Sequence, residues 1–224
     1  MQSLRDVRLV IYDLDGVLID STKAILQSFH ASISEAGITP PPDEEIKKLI
    51  GYPLTEIYNI ILPPERKHEV EDFTRAFRRV FSEVCTRDTV LLQGVKETLT
   101  ELNSRGYIQC VATNKHSELA VKILKHLGVM KFFSKVIGAT DVPNPKPAPD
   151  MINKLVYEYA QDPGKTVFID DTTTGLRAGR LAGTITVGIT TGYEDRLSLE
   201  QLGPDYLIDN LTDLENLLLT NTSG

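Results

Sequence analysis

Five aspartates and one lysine stand where this chain could do chemistry. Asp13 and Asp15, in "IYDLDGVLIDS" (residues 11–21), lie two apart at the end of an apolar run, with Asp20 close behind. Asp170 and Asp171 end a second run in "TVFIDD" (166–171). In an extended segment Asp13 and Asp15 point the same way, which suits shared coordination of a cation or a nucleophile beside an acid. Like charges this close repel, and burying them is costly unless a cation or donor compensates. The competing reading is an acidic turn: Gly16 permits an abrupt bend, and Asp20 or Ser21 would cap a helix starting near Thr22. Capping explains Asp20 well and Asp13 poorly, and it does not explain why two runs both end in paired aspartates. Of the second pair, Asp171 is assigned to the metal, with Asp170 supporting it or orienting a water.

Two further segments end apolar runs or follow them. In "CVATNK" (110–115), Thr113 and Asn114 precede a helix, where a hydroxyl and free amide hydrogens can hold an anion such as phosphate. A plain threonine N-cap fits that segment equally well. In "VPNPKPAPD" (142–150), Lys146 sits between Pro145 and Pro147, whose rings restrict the backbone. Such a lysine is placed to neutralise a phosphoryl group and the aspartates around it. The bland alternative is a rigid surface loop with Asp150 as a helix cap.

The elements that must position these residues are short apolar runs at 8–12, 108–112, 166–169 and 184–189, with shorter strands expected at 135–139 and 206–208. Helical spacing between them, as at 116–127 and 148–160, gives the alternation of a parallel α/β sheet. The carboxyl ends of its strands share one edge, where open α/β folds bind ligands. Residues 21–92 break the rhythm. They read as helices separated by "ITPPP" and "LPPE", with no strand pattern, and predict a helical cap inserted in a body formed by 1–20 and 93–224. Phe73, Phe77 and Phe81 recur at helical spacing and are expected in the cap's core, with a dimer contact as the alternative; the protein is expected to be a monomer or homodimer. The tail "LLLTNTSG" is expected to fray beyond its leucines.

The 224 residues suffice for a sizeable core, with 41% hydrophobic and 25% charged residues. A net charge of −7 and the lack of an aromatic-basic platform argue against a nucleic-acid partner. They leave room for a small anionic substrate, because a metal and a lysine can reverse the field within one cleft. No apolar run approaches the roughly 18–20 residues that span a membrane, so no membrane partner is expected. With two cysteines, no CxxC pair and acidic residues arriving early, a reducing, cytoplasmic location is expected.

Taken in order, these motifs resemble the haloacid dehalogenase-like hydrolases, in the branch of phosphoglycolate phosphatase and beta-phosphoglucomutase. "DLDGVLIDS" matches the first motif, Thr113 the second, Lys146 in "PKPAPD" the third, and Asp171 before "AGRLAG" the fourth. The resemblance covers nearly the whole chain and implies a Rossmann-like parallel sheet with helices on both faces plus an inserted helical cap. It also implies that Asp13 is the nucleophile, forming an aspartyl-phosphate, and that Asp15 protonates the leaving oxygen and then activates water. The backbone carbonyl of Asp15 and the carboxylates of Asp13 and Asp171 would bind Mg²⁺. Thr113 and Lys146 would hold phosphoryl oxygens, helped by amide groups around Leu14, Gly16 and Asn114.

The expected function is therefore Mg²⁺-dependent hydrolysis of a small phosphorylated metabolite, phosphoglycolate among the candidates. Cap residues would contact the leaving group: Lys47 and Lys48 beside Gly51, and Arg75, Arg78 or Arg79. Relatives that are dehalogenases, ion pumps or phosphonate-cleaving enzymes lack an acid at the position of Asp15. A phosphosugar mutase is the alternative, but the histidine such mutases carry falls at Ile25 here, and His30 is no equivalent. A partner-binding protein on the same fold is the non-catalytic alternative. One departure stands out. The phosphatase pattern has glycine at 170 and a second acidic residue at 175, whereas this chain has Asp170 and Gly175, so Asp170 is expected to supply the missing charge.

Overall fold

The computed structural model describes residue 4 and residues 6–220. The chain opens with β1 (Leu9–Tyr12) and a short β2 (Ile19–Asp20), then passes through α1 (Thr22–Glu35), α2 (Asp43–Lys47), α3 (Leu54–Ile61), a 3₁₀ turn (Pro64–Glu69) and α4 (Val70–Val84). It returns through β3 (Val90–Leu91) to α5 (Val95–Ser104), β4 (Ile108–Thr113), α6 (Ser117–His126) and β5 (Lys135–Gly138). The remainder is α7 (Asp150–Glu158), β6 (Thr166–Asp170), α8 (Thr173–Leu181), β7 (Ile185–Ile189), α9 (Arg196–Leu202), β8 (Tyr206–Ile208) and α10 (Leu211–Thr220). Residues 221–224, on which most of the expected fraying falls, lie outside the described residues.

Six strands form one parallel sheet in the order β5-β4-β1-β6-β7-β8. Each lies within one residue of the position expected from the apolar runs. Alternation along β1 explains why both faces are covered. Val10 and Tyr12 join the larger apolar cluster, while Leu9 and Ile11 pack with Met151, Ile152 and Leu155 of α7 on the other face. The strands are buried on both sides, as parallel sheets require.

Helices α1 to α4 supply the inserted helical cap. In α4, Val70, Phe73, Phe77, Phe81 and Val84 recur every three or four residues and face α1 and α3. Their rings make one cluster: Phe29 lies 4.7 Å from Phe77 and 5.2 Å from Tyr58, and Phe77 stacks on Phe81 at 5.6 Å. Phe73, Phe77 and Phe81 are all buried, as their spacing indicates. Tyr58 buries its hydroxyl by pairing it with Ser32 at 2.6 Å.

Two expectations need correction. The stretch 21–92 was expected to hold no strand, yet Val90–Leu91 pairs antiparallel with Ile19–Asp20. Two residues are too few for a periodic signal, and their partner lies about 70 positions away. The helix read after "LPPE" begins instead as a 3₁₀ turn over 64–69, ahead of α4. The ribbon of β2 and β3 therefore clips together the chain's departure to the cap and its return.

Candidate active site

The three central strands end at one level because of their register. Tyr12 of β1 is level with Val111 of β4 and with Ile169 of β6. Just beyond this level lie Asp13, Thr113 (after Ala112) and the pair Asp170–Asp171, which therefore meet at the carboxyl edge of the sheet. Asp13 continues the ladder by one bond, its N–H donating to Ile169 O at 2.9 Å. Lys146 arrives from the loop after β5, and its side chain is almost wholly buried.

Lys146 Nζ donates to Asp13 Oδ1 at 2.6 Å and to Asp170 Oδ2 at 2.7 Å. Ligand atoms of Asp13, Asp170 and Asp171 lie within 4.8 Å of one another, all three buried. Burial pushes the Asp13 carboxyl up to about 7, with Asp170 and Asp15 adding to the rise and Lys146 opposing it. Burial, then the charges of Asp170 and Asp13, hold Asp171 well above the usual carboxylate range. For Lys146, burial alone would lower the value, but the charges and hydrogen bonds of Asp13 and Asp170 raise it. One lysine does not neutralise three carboxylates.

The two members of the acidic pair differ in their partners. Asp170 is fully engaged: Oδ1 accepts from Thr172 N–H (2.9 Å) and Oγ1 (2.7 Å), and Oδ2 from Lys146. Asp171 Oδ2 accepts from Tyr193 N–H at 2.8 Å, but its Oδ1 is buried without a hydrogen-bond partner among the described residues. An orphaned buried carboxylate oxygen beside two other carboxylates is what a hard, oxygen-binding divalent cation would satisfy. The donor set fits the ion that the motifs imply. Asp15 stands apart from this set. Its Oδ1 accepts from Ser21 Oγ, and its Oδ2 lies 3.1 Å from Lys115 Nζ.

Local backbone choices make the cluster fit. Gly16 has φ +77°, and a Cβ there would lie 2.2 Å from Asp171 Oδ2. At Gly175 a Cβ would lie 1.7 Å from Asp170 Oδ2. The Asp170 carboxylate thus occupies the space in which a side chain at 175 would begin, which accounts for the departure seen in the sequence. Ser21 stands at the N-cap of α1 without capping it; Asp20 accepts from Thr22 N–H instead, at 2.9 Å. Asp150 accepts from the backbone and side chain of Asn144 (3.3 and 3.0 Å).

Thr113 is buried, and its Oγ1 accepts from Lys115 N–H at 3.2 Å, so its own O–H can donate into the cleft. Asn114 has another task. Its Nδ2 donates to Gly51 O of the cap (2.8 Å) and to Lys146 O (3.0 Å), while its Oδ1 accepts from Lys146 N–H (3.0 Å). One amide therefore fixes the Lys146 backbone on both sides and ties it to the cap.

A cavity of about 260 Å³ lies between cap and sheet, lined at its polar end by Asp13, Asp15, Thr113, Asn114, Lys146 and Asp171. Gly51 lines it too, and Gly16 stands behind Asp171 rather than in the wall. Lys47, Lys48 and Arg75 were expected at the leaving group, but they do not line the cavity. Lys47 pairs with Glu44 at 2.7 Å and Arg75 with Asp72 at 3.2 Å, each on an exposed helix surface where such pairs form locally. Arg78, one helical turn on from Arg75, does reach the cavity and has no partner among the described residues. His30 lies outside it, with Nε2 2.7 Å from Asp43, whereas Ile25 lines it.

Four residues at the site were missed from the sequence: Ser21, Lys115, Thr172 and the backbone of Tyr193. Thr172 follows the acidic pair directly and had a visible signal as an N-cap, which it is, accepting from Gly175 N–H at 3.1 Å. Lys115 closes the "CVATNK" motif. Tyr193 had no local signal, because a backbone donor in a loop after β7 depends on the fold alone.

A family model described as haloacid dehalogenase-like hydrolase matches residues 10–189. The phosphoglycolate phosphatase of Haemophilus influenzae is 27% identical over 219 residues, covering 94% of this chain and 98% of that one. A crystal structure described as a predicted phosphoglycolate phosphatase from Haemophilus somnus 129pt superposes with a TM-score of 0.84 at 26% identity, over 95% of this chain and 98% of the other. A haloacid dehalogenase-like family hydrolase from Streptococcus pneumoniae shares the fold, with a TM-score of 0.86 at 23% identity over 94% and 98% of the two chains. With strand ends, buried carboxylates and cap arranged as described, the chain belongs to the haloacid dehalogenase-like hydrolases, in their phosphoglycolate phosphatase-like branch, and is an enzyme of that family.

Proposed function

We propose that the protein is a Mg²⁺-dependent phosphatase acting on a small phosphomonoester through an aspartyl-phosphate. The observation that carries the reading is the pairing of Lys146 with Asp13 and Asp170 beside the orphaned Oδ1 of Asp171. The carboxylates of Asp13 and Asp171 and the backbone carbonyl of Asp15 would hold the ion, with Asp170 beside them as support or alternative ligand. When bound, it supplies positive charge that lets an anionic carboxylate approach an anionic phosphoryl group.

The chain's own residues carry the rest. Lys146 and the Thr113 hydroxyl hold phosphoryl oxygens and stabilise charge as it builds there. An Asp13 oxygen forms a bond to phosphorus as the ester P–O bond breaks. The leaving oxygen takes a proton from Asp15, which Ser21 and Lys115 orient at the cavity wall. Asp15 then takes a proton from water, whose oxygen attacks phosphorus and releases phosphate and the Asp13 carboxylate. Dividing the displacement in this way replaces one hard step by two easier ones.

Ile25 favours hydrolysis over the mutase alternative, since an isoleucine at the cavity wall cannot relay a proton. The cap, which we assign to residues 21–92, keeps bulk water from the phosphorylated site. The free, buried Cys85 and Cys110 suit a reducing compartment such as the cytoplasm. The test is phosphate release from a phosphomonoester panel that includes phosphoglycolate, with and without Mg²⁺. Asp13→Asn is expected to lower release by on the order of 10³-fold or more, with an unchanged circular dichroism spectrum. Equal release by the variant would end the reading.

A further inference from the structure

The cavity has two ends of opposite character. Its polar end holds the catalytic carboxylates, while its cap end is walled by Ile25, Phe29, Ile50, Ile57, Phe77 and Phe81. All six are buried, none more than 8% exposed. Two cations near that wall are already engaged. Lys115 lies 3.1 Å from Asp15 and 4.2 Å above the Phe81 ring, and Lys146 is held by Asp13 and Asp170. Arg78 is exposed, and an ion pair formed in water contributes little.

Size and polarity then decide between leaving groups. An apolar cavity of about 150 Å³ is large enough for benzene, and this one measures about 260 Å³. It can take a phosphoryl group together with a ring-sized body. A short hydroxycarboxylate such as glycolate would leave much of the apolar wall facing water. It would also bring a carboxylate to a wall whose buried lysines are already paired, leaving among the described lining residues the exposed Arg78 and the single unpartnered Nδ1 of His116 to meet it.

We infer that the substrate is a phosphomonoester whose leaving group is an apolar body of ring size rather than a two- or three-carbon hydroxycarboxylate. The inference rests on the phosphatase reading above and names the substrate class of that same site. Ile25 belongs to the argument directly, because it places a branched alkyl group on the wall nearest the first cap helix. The phosphoryl end is recognised by Lys146 and Thr113, and the leaving group chiefly by burial against the apolar wall.

Ethyl, n-butyl, n-hexyl and benzyl phosphate have leaving alcohols of similar acidity, so they report wall contact rather than intrinsic reactivity. With the Mg²⁺-loaded wild-type enzyme, kcat/KM is expected to rise about fourfold per added methylene until the cavity is filled, with benzyl phosphate well above phosphoglycolate. Leu54→Ser, at a half-buried position of the wall, is expected to flatten the series, and Leu54→Met to restore it. A flat series, or phosphoglycolate preferred to n-butyl phosphate, would overturn the inference while leaving the phosphatase reading intact. The matching alkylphosphonates, which contain no cleavable ester, provide a second arm by calorimetry on the same holoenzyme. Affinity that climbs with chain length in the absence of any turnover would sustain the apolar site and refute the phosphatase. No slope in either arm would overturn the inference outright.

Discussion

Asp171→Asn should stabilise the metal-free protein and remove most of what it gains from Mg²⁺. Asp171 is wholly buried, its Oδ1 has no partner, and its carboxyl is raised by burial and by the charges of Asp170 and Asp13. An amide keeps an oxygen for Tyr193 N–H while removing one buried like charge. In metal-free protein at pH 7.5 the variant should therefore be more stable than wild type, by on the order of 2 kcal/mol. For wild type, Mg²⁺ at 100 times its dissociation constant adds about 2.7 kcal/mol, which in a chain of this length raises Tm by about 5–10 °C. In the variant this shift should shrink to about 2 °C or less, since an anionic ligand is gone. Scanning calorimetry after dialysis against chelator, with and without Mg²⁺, measures all four states. A variant that is less stable than wild type when metal-free, yet keeps the full Mg²⁺ shift, would show that Asp171 serves only as an acceptor for the Tyr193 loop.

The same carboxyls set a pH dependence. The folded Asp13 carboxyl titrates at about 7, against about 4 when unfolded, so in that window the folded state binds more protons and stability falls as pH rises. Metal-free protein should show a lower urea midpoint at pH 8 than at pH 5.5, and Mg²⁺ should narrow the gap; a midpoint that rises with pH would contradict the burial argument. Asn114→Ala removes three hydrogen bonds that join Gly51 to both sides of Lys146, and should lower kcat by about 10–100-fold while KM for phosphate esters changes less. Unaltered kcat would mean that the amide does not position the lysine. Ser21→Ala frees Asp15 on one side, so alkyl phosphates, which need a proton on the leaving oxygen, should slow about tenfold more than p-nitrophenyl phosphate. Equal slowing of both would exclude Asp15 orientation as the task of Ser21.

The sheet was legible because each strand is a short apolar run bounded by turn residues, and a parallel strand buried on both faces leaves that mark. The carboxyl-edge residues were legible for a related reason: Asp13, Thr113 and the pair 170–171 follow directly where such a run stops. Contacts made by backbone or by distant loops left no comparable mark. The Tyr193 amide on Asp171 and the Asn114 bridge to Gly51 exist only once β7 and the cap are in place. The resemblance of the stretch around Gly51 to the family's specificity loop pointed to Lys47 and Lys48, yet a five-residue helix turns Lys47 back to Glu44. The sequence showed charge near the loop, but not which way a short helix would face it.

The pairing of Ile19–Asp20 with Val90–Leu91 constrains how the cap can travel. Two chains lashed side by side bend readily across their common plane but resist being wound about one another. Tilting over the cleft is therefore the easy motion, and swivelling relative to the sheet is the stiff one. A cap moving on this ribbon would offer a ligand the same wall at every closure.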